Sequence, residues 1–339
     1  MSLRNNPKIM ADLKAKIDET KGNRDTRKYD AGEIAAKIKS RVIGQDTIAD
    51  TISSLVARKA ARRTRKGTLA NVLVSGPPGT GKTEMAKAIS EAIFGSEEYM
   101  LNISCNSIGT SETGLSALVG APKVYSNSSR GSIIEYLIKN KGEGVILFDE
   151  FEKAAPNKDA PVAKMLLTLL DEGKIQSQYD MNVYEAKGCI VILTSNLKQE
   201  ELGKLSQQVK DPEELEQACK RVLMDALAPE FFDRVDLVTT TAPLDDEARS
   251  QILLMHFERV AKAHEVEVVD VDASFYDLLM LGVEKFKETS ARTVMRWLEK
   301  VADEAFIDAV NENHWQRVVA GWDGRQIVLT EAGPEEEQE

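Results

Sequence analysis

Short apolar runs alternate with helical patterns along the first two thirds of the chain. Buried strands are predicted for four runs that polar residues or glycine bound: NVLVSG, YMLNIS, GVILFDE and CIVILTSN. Between them, apolar residues recur at helical spacing, for example in VAKMLLTLLDEG. Strands that alternate with helices predict an α/β fold, in which helices flank a parallel sheet.

From about Pro243 the pattern becomes mainly helical, and it closes with RVVAGWDGRQIVL, which predicts a β-hairpin that turns at Asp323 and Gly324. The chain therefore divides into four predicted parts. They are a polar N-terminal segment and linker (1–30), a large α/β domain (31–242), a small, mainly helical C-terminal domain (243–330) and an acidic tail (331–339).

Composition narrows the class of protein. The 339 residues are 42% apolar, which is enough for a core. No apolar run approaches the roughly 20 residues of a membrane span, and the N-terminus lacks the apolar centre of a signal peptide. The three cysteines are far apart and odd in number, as is typical of reduced thiols. We therefore expect a cytoplasmic protein without membrane insertion. The three histidines lack the spacing of metal ligands, so we expect no zinc site.

The charge is uneven. Residues 1–70 hold 17 Lys and Arg against 8 Asp and Glu, whereas residues 71–339 carry a net charge of −20. The basic part peaks in RKAARRTRK, residues 58–66, which is either a nucleic-acid or acidic-partner patch or a solvated helix end. We favour the solvated helix end, because no aromatic residue interleaves with the charges. We therefore do not expect nucleic acid as a partner.

A phosphate-binding loop is predicted at GPPGTGKT, which fits the G-x-x-x-x-G-K-[ST] pattern between a strand and a helix. Its glycines let backbone N–H groups face phosphate oxygens. Lys82 would reach the β- and γ-phosphates of ATP, and Thr83 would hold Mg²⁺. The predicted nucleotide-binding residues of this loop are Gly76, Pro77, Pro78, Gly79, Thr80, Gly81, Lys82 and Thr83.

Two further strands end in polar groups. GVILFDE ends in Asp149, which suits the metal, and Glu150, which suits orienting and deprotonating the attacking water. CIVILTSN ends in Asn196, whose amide could lie near the γ-phosphate and the water. Each could alone be an ordinary polar strand end, but their pairing with the phosphate loop favours a hydrolytic site.

Further segments lie in the order and at the spacing of one known family: RVIGQD (41–46), GAPKVYSNSSRG (120–131), LFDEFEKAAP (147–156), LLTLLDEGKI (166–175), PEFFDRVD (229–236) and SARTVMR (290–296). With the motifs above they resemble AAA+ ATPases, which are P-loop NTPases. More narrowly, residues 35–330 resemble the Clp-type protein unfoldases, and most of all the second-ring module of Clp disaggregases.

The resemblance implies roles for further residues. Val42 and Ile43 would contact the adenine. Asn196 would be the first sensor, and Arg234 the arginine finger that reaches the neighbouring subunit's nucleotide, a contact worth about 10³–10⁵ in rate. Arg292, from the small domain, would be the second sensor. A homo-oligomeric ring, usually of six subunits, follows from the resemblance.

The segment 120–131 matches a loop that lines the central pore in Clp relatives. Tyr125 stands where the family has the aromatic residue that grips polypeptide, and an aromatic ring gains contact area on almost any chain. The family pattern Gly-Tyr-Val-Gly is replaced by Val-Tyr-Ser-Asn here, so the loop could be stiffer or could grip polypeptide differently. The alternative is that Tyr125 merely packs between subunits. A second loop, 175–185, would also face the pore, and its candidate substrate contacts are Tyr179 and Met181.

Two absences bear on partners. The sequence predicts neither a folded N-terminal domain that captures substrates nor an inserted coiled coil. The nearest match to a peptidase-docking tripeptide is Leu202-Gly203-Lys204, which ends in the wrong chemistry, so we expect no Clp-type peptidase partner.

The leading hypothesis is an ATP-driven ring motor that unfolds or remodels protein substrates. The alternatives are a DNA-acting loader or helicase, supported only by the basic stretch at residues 58–66, and an assembly scaffold that does not thread polypeptide, supported by the lost loop glycines.

Overall fold

The computed structural model describes residues 29–62, 66–124, 128–311 and 313–333. The predicted N-terminal segment up to residue 28 and the tail from residue 334 lie outside this part of the chain. The strands are β1 (Ala70–Ser75), β2 (Met100–Ser104), β3 (Glu143–Asp149), β4 (Lys174–Gln176), β5 (Val183–Glu185), β6 (Gly188–Ser195), β7 (Leu237–Thr240), β8 (Glu267–Val271), β9 (Arg317–Trp322) and β10 (Ile327–Glu331).

Helices occupy most of the sequence between the strands. They are α1 (Ala31–Lys39), α2 (Asp46–Ala60), α3 (Lys82–Phe94), α4 (Cys105–Ile108), α5 (Glu112–Val119), α6 (Ser132–Lys139), α7 (Pro161–Glu172), α8 (Gln199–Gln208), α9 (Pro212–Leu223), α10 (Pro229–Phe232), α11 (Asp246–Ala263), α12 (Phe275–Glu288) and α13 (Ala291–Asn311).

A five-stranded parallel sheet forms the centre of the larger unit, in the order β2-β3-β6-β1-β7. Side chains alternate between the two faces of a strand, so each strand contributes to two apolar clusters. Val72 and Leu147 pack with α1, α2 and α3, whereas Leu73 and Phe148 pack with α6 and α7. Burial on both faces explains why these strands are apolar throughout, and the predicted α/β sheet flanked by helices is confirmed.

The register of the sheet brings the functional motifs together. Ser75 at the end of β1 pairs with Ser195 at the end of β6, and Phe148 of β3 pairs with Leu193 of β6. Because the strands are parallel, their carboxyl ends meet at one edge. The phosphate loop after β1, the carboxylates after β3 and Asn196 after β6 therefore share that edge.

A third apolar cluster holds the C-terminal unit together, with Phe257, Phe275 and Phe306 fully buried among α11, α12 and α13. The predicted hairpin is present, and its turn occupies residues 323–326. Sequence reasoning missed β8, which pairs parallel with β9 and completes a three-stranded sheet. It likewise missed the edge strand β7. The apolar cluster of the large unit ends at Val238, and that of the small unit begins at Leu253. We therefore propose that the domain boundary lies at residue 242, between the two clusters.

The segment 175–185, expected as a loop, contains a small hairpin of β4 and β5. Ser177 closes its tip by donating its backbone N–H to the carbonyl of Asn182 at 2.9 Å. None of the helices in the described ranges combines the length and the apolar character that a membrane crossing needs.

Removing the Phe306 ring should weaken the small unit specifically. The ring is fully buried, with its centroid 5.2 Å from that of Phe257, so Phe306→Ala should cost about 3–5 kcal/mol of unfolding free energy. Ile307 is the matched control on the same helix, because its side chain is 46% exposed and Ile307→Ala should cost under about 1 kcal/mol. Urea denaturation followed by circular dichroism measures both, and equal losses would contradict this packing.

Candidate active site

The phosphate loop has a backbone that only glycine tolerates at its first position. Gly76 has a φ of 131°, and a Cβ there would lie 2.3 Å from the hydroxyl oxygen of Thr241. Gly79 and Gly81 also have positive φ angles, of 78° and 92°. Among the described residues, the backbone N–H groups of Gly79, Thr80 and Gly81 donate to no other group. The loop therefore presents free donors, which suits phosphate oxygens.

Lys82 begins α3 and is buried beneath this loop. Its Nζ donates to the carbonyl oxygens of Gly76 at 2.7 Å and Pro77 at 2.9 Å. Burial lowers the pKa of Lys82 to about 8, although three nearby carboxylates oppose the shift. The neighbouring carboxylates belong to Asp149, Glu152 and Glu150. An ammonium whose described hydrogen-bond partners are backbone carbonyls would gain from an anionic ligand, so the residues present fit the phosphates of ATP.

The acidic end of β3 is held by Thr194, which sequence reasoning missed. The Thr194 hydroxyl donates to Asp149 Oδ1 and accepts from the backbone N–H of Glu150, the latter at 3.1 Å. Glu150 has a φ of 54°, which is unusual for a residue other than glycine. One hydroxyl therefore holds the carboxylate of Asp149 and the backbone of Glu150. The only signal for it in the sequence is a polar residue inside the apolar run CIVILTSN.

Asn196 lies beside Glu150, as its place in the sheet predicts. Its amide Nδ2 donates to Glu150 Oε1 at 2.7 Å, and its backbone N–H donates to Glu152 Oε1 at 3.3 Å. The second oxygen of Glu152 is buried and has no partner among the described residues. Three carboxylates, one amide and one lysine thus meet at the sheet edge, a combination that can orient water and stabilise charge.

Oxygen donors fit the predicted metal. Thr83 follows Lys82 at the start of α3. Asp149 ends β3, close enough to Lys82 for its charge to act on the pKa of the lysine. Hydroxyl and carboxylate oxygens are ligands that Mg²⁺ prefers. These two residues would hold Mg²⁺, although their role as metal ligands stays a prediction.

The segment around residues 41–46 reaches the phosphate loop. Val42 is buried, and a Cβ on Gly81 would lie 3.4 Å from its Cγ1. Ile43 lines a cavity of about 560 Å³, whose wall also includes Gly44 and Ala248. The structure thus places Val42 beside the phosphate loop and Ile43 at a cavity wall, and their contact with adenine stays a prediction.

Two residues of the same segment anchor it, and neither was predicted as functional. Arg41 donates to Glu84 and Glu91 of α3 and to Glu97 beyond it. Gln45 is buried and exchanges two hydrogen bonds of 2.9 Å with the backbone of Ala242. The anchors join the predicted adenine contact to the phosphate-loop helix and to the segment that connects the two units.

The two predicted arginines occupy different places. Arg292 is exposed at the start of α13, and its neighbour Ala291 lies 3.5 Å from where a Cβ on Gly79 would be. The structure therefore brings the start of α13, which carries Arg292, near the phosphate loop. Arg234 follows α10, where its Nη1 donates to the carbonyl of Glu230 at 2.7 Å, and none of its described hydrogen bonds runs to the phosphate loop.

Comparison with known proteins identifies the family. A family model described as the AAA domain (Cdc48 subfamily) matches residues 68–238, half of the chain. The chain belongs to the AAA+ ATPases. ATP hydrolysis is the activity of this family, and nucleotide binding follows from membership.

Relatives of this AAA+ chain include Clp proteins. The chaperone protein ClpB of Bacteroides thetaiotaomicron is 32% identical over 274 residues, which are 78% of this chain and 31% of that protein. The ATP-dependent Clp protease ATP-binding subunit ClpC of Staphylococcus saprophyticus is 27% identical over 324 residues, 92% of this chain and 38% of that protein. The chain thus spans about a third of the length of these curated relatives, and the predicted resemblance to the Clp family is confirmed.

A solved structure shows the same AAA+ fold. It is a closed-state cryo-EM reconstruction of Hsp104 with ATPγS and FITC casein, at a TM-score of 0.70 and 21% sequence identity. The match covers 91% of this chain and 52% of that one.

The predicted pore tyrosine, Tyr125, lies outside the described residues, together with Ser126 and Asn127. The tripeptide at residues 202–204 lies in α8, where Leu202 is fully buried and a Cβ on Gly203 would lie 3.4 Å from Pro77. In this AAA+ chain Leu202 therefore belongs to the apolar core, and Gly203 lets α8 approach Pro77 of the phosphate loop.

Loss of the Thr194 hydroxyl should slow hydrolysis more than it weakens nucleotide binding. Thr194→Val removes the group that holds both Asp149 and Glu150, so we expect kcat to fall about 10- to 100-fold. Thr194→Ser keeps the hydroxyl and should stay close to the parent rate. Steady-state ATP hydrolysis and titration with a fluorescent ADP analogue separate the two effects. A normal rate in Thr194→Val would show that this hydroxyl does not organise the site.

Proposed function

We propose that this AAA+ module hydrolyses ATP in order to unfold or remodel protein substrates, by pulling polypeptide through the pore of a homo-oligomeric ring. The observation that carries the hydrolytic part is the amide of Asn196 on the carboxylate of Glu150, at the edge where Lys82 is buried. Glu150 would orient the attacking water and take its proton, while Asn196 keeps the carboxylate aimed. Mg²⁺, held by Thr83 and Asp149, would neutralise phosphate charge.

The site would be completed by a second subunit. Arg234 has no described hydrogen bond to its own phosphate loop, and its Nε is buried with no partner in the part of the chain that the structure describes. A ring, which we expect to be hexameric, would place this guanidinium against the γ-phosphate of the neighbour. Arg292, at the start of α13, would sense the nucleotide on its own chain's phosphate loop and transmit its state to the small unit.

The loop 120–131 is built on a narrow base. Ala121 donates its backbone N–H to the carbonyl of Ser129 at 3.1 Å, and a Cβ on Gly120 would lie 2.6 Å from that carbonyl oxygen. A Cβ on Gly131 would lie 2.3 Å from the backbone nitrogen of Gly120. Glycines are thus retained at the base of the loop, although the family glycines beside Tyr125 are missing.

The β4–β5 hairpin supports this loop. Gln178 donates its backbone N–H to the carbonyl of Val119, and the ring of Tyr179 lies under two cations. Lys123 Nζ is 4.9 Å from the ring centroid and the Arg130 guanidinium is 5.8 Å away. Tyr179 would therefore hold the two elements together and would not grip substrate.

Apolar side chains at the tips of the two elements remain available. Val124 is 87% exposed and Met181 is 66% exposed. We propose that these side chains, together with Tyr125, contact an extended polypeptide, since apolar groups can bind most sequences. The buried Leu202 supports the proposal that no Clp-type peptidase docks at residues 202–204.

Steady-state ATP hydrolysis tests this function most simply. The rate is measured alone, with an unfolded polypeptide, and with single- or double-stranded DNA, using Glu150→Gln as the inactive blank. Polypeptide should raise the rate of the parent chain. Tyr125→Ala should keep the basal rate and lose that rise, Met181→Ser should lose part of it, and Tyr125→Phe should retain it because the ring remains.

Two outcomes would contradict the proposal. Stimulation by DNA would favour the loader or helicase. A rate that responds neither to polypeptide nor to DNA would favour the scaffold.

A further inference from the structure

The side-chain amide of Asn71 is buried at the start of β1, at the end of the strand opposite the phosphate loop. Its Nδ2 donates to the carbonyl oxygens of Arg234 and Leu170, both at 2.9 Å. Its Oδ1 accepts from the hydroxyl of Thr68. Both amide hydrogens are therefore used, and a buried amide satisfied in this way holds the groups that it contacts in fixed positions.

Asp236 makes a second link between β1 and the segment that carries Arg234. Its Oδ2 accepts from the backbone N–H of Asn71 at 2.9 Å, and its own N–H donates to the Asn71 carbonyl at 2.8 Å. Its Oδ1 pairs with Lys59 Nζ at 2.5 Å, where the two side chains are only 23% and 13% exposed. The turn after α10 is thus held on the central sheet by backbone and side-chain bonds together.

The guanidinium of Arg234 is less constrained than its backbone. Among the described residues its side chain has one hydrogen bond, from Nη1 to the carbonyl of Glu230. An arginine whose backbone is fixed has a defined reach, because its side chain extends from a known point. The anchor therefore sets where such a side chain can act.

We propose that Asn71, supported by Asp236 and Lys59, positions Arg234 so that its guanidinium reaches the nucleotide of a neighbouring subunit. The inference rests on the proposed function, in which Arg234 acts between subunits. Asn71 is a positioning residue, since it would touch neither nucleotide nor substrate. A displacement of about 1 Å at a reacting centre can cost 10²-fold in rate, so a weak anchor would be visible in hydrolysis.

The same amide also constrains the end of α7. Leu170 lies two residues before Glu172, the last residue of that helix, and the β4–β5 hairpin begins at Lys174. One side chain therefore holds both the turn that carries Arg234 and the helix that leads into the hairpin. Lys59, which belongs to the basic stretch at residues 58–66, thus pairs with Asp236 within the protein.

Mixed rings test the inference. Arg234→Ala keeps its own pocket and loses the finger, whereas Glu150→Gln loses hydrolysis and keeps the finger. Random mixing of the two inactive chains at equal amounts would pair an intact pocket with an intact finger at about one interface in four, so activity should return.

Asn71→Ala should behave like a milder Arg234→Ala. We expect its kcat to fall about 10- to 100-fold, its affinity for a fluorescent ADP analogue to stay within about twofold, and its activity to rise on mixing with Glu150→Gln. Asn140→Ala is the matched control, because the Asn140 Nδ2 is buried in the same unit without a described partner. It should leave hydrolysis unchanged.

A second variant covers the risk that Asn71→Ala unfolds, which thermal denaturation would show. Asp236→Asn keeps the shape of the anchor and removes its charge pair with Lys59, so it should give a smaller fall in kcat that mixing also restores. If Arg234→Ala is rescued by mixing but neither anchor variant is, or if both anchor variants hydrolyse ATP normally, the positioning inference is wrong. If Arg234→Ala itself is not rescued, the shared site of the proposed function fails.

Discussion

The burial of a lysine side chain, Lys82, is the constraint on which the rest of the site depends. Lys82 is removed from water, its pKa is lowered by that burial, and backbone carbonyls are its described hydrogen-bond partners. Such a charge is tolerated only where opposite charges stand close by. The parallel sheet supplies them, because its register ends β1 and β3 at one edge and brings Asp149 and Glu150 alongside.

The same edge is also where the two units of the chain meet. Ala291 of the C-terminal unit lies against the position of Gly79, and a Cβ on Gly44 would lie 3.3 Å from Ala248. Nucleotide bound at the phosphate loop would therefore lie close to the start of α13 in the C-terminal unit. In the proposed motor, a change of nucleotide would move one unit against the other. The two hydrogen bonds between Gln45 and the backbone of Ala242 would lie close to the hinge between the units.

Sequence reasoning was accurate where one stretch of chain carries the signal. The core strands were recognisable because both faces of each are buried, and the phosphate loop because its glycines, lysine and threonine are consecutive. It failed for β7 and β8, whose short runs depend on a neighbouring strand for their conformation. It also missed Thr194, Gln45 and Asn71, since their partners lie more than 40 residues away along the chain. Only the fold brings those groups together.

The central claim is that ATP hydrolysis does mechanical work on polypeptide. The most direct test is to follow a stable fluorescent protein that carries an unstructured tail, and to record loss of its native fluorescence and phosphate release in the same sample. We predict that fluorescence falls only with ATP and that the loss stops in Glu150→Gln. Phosphate release that the tail stimulates, with native fluorescence unchanged, would contradict the account.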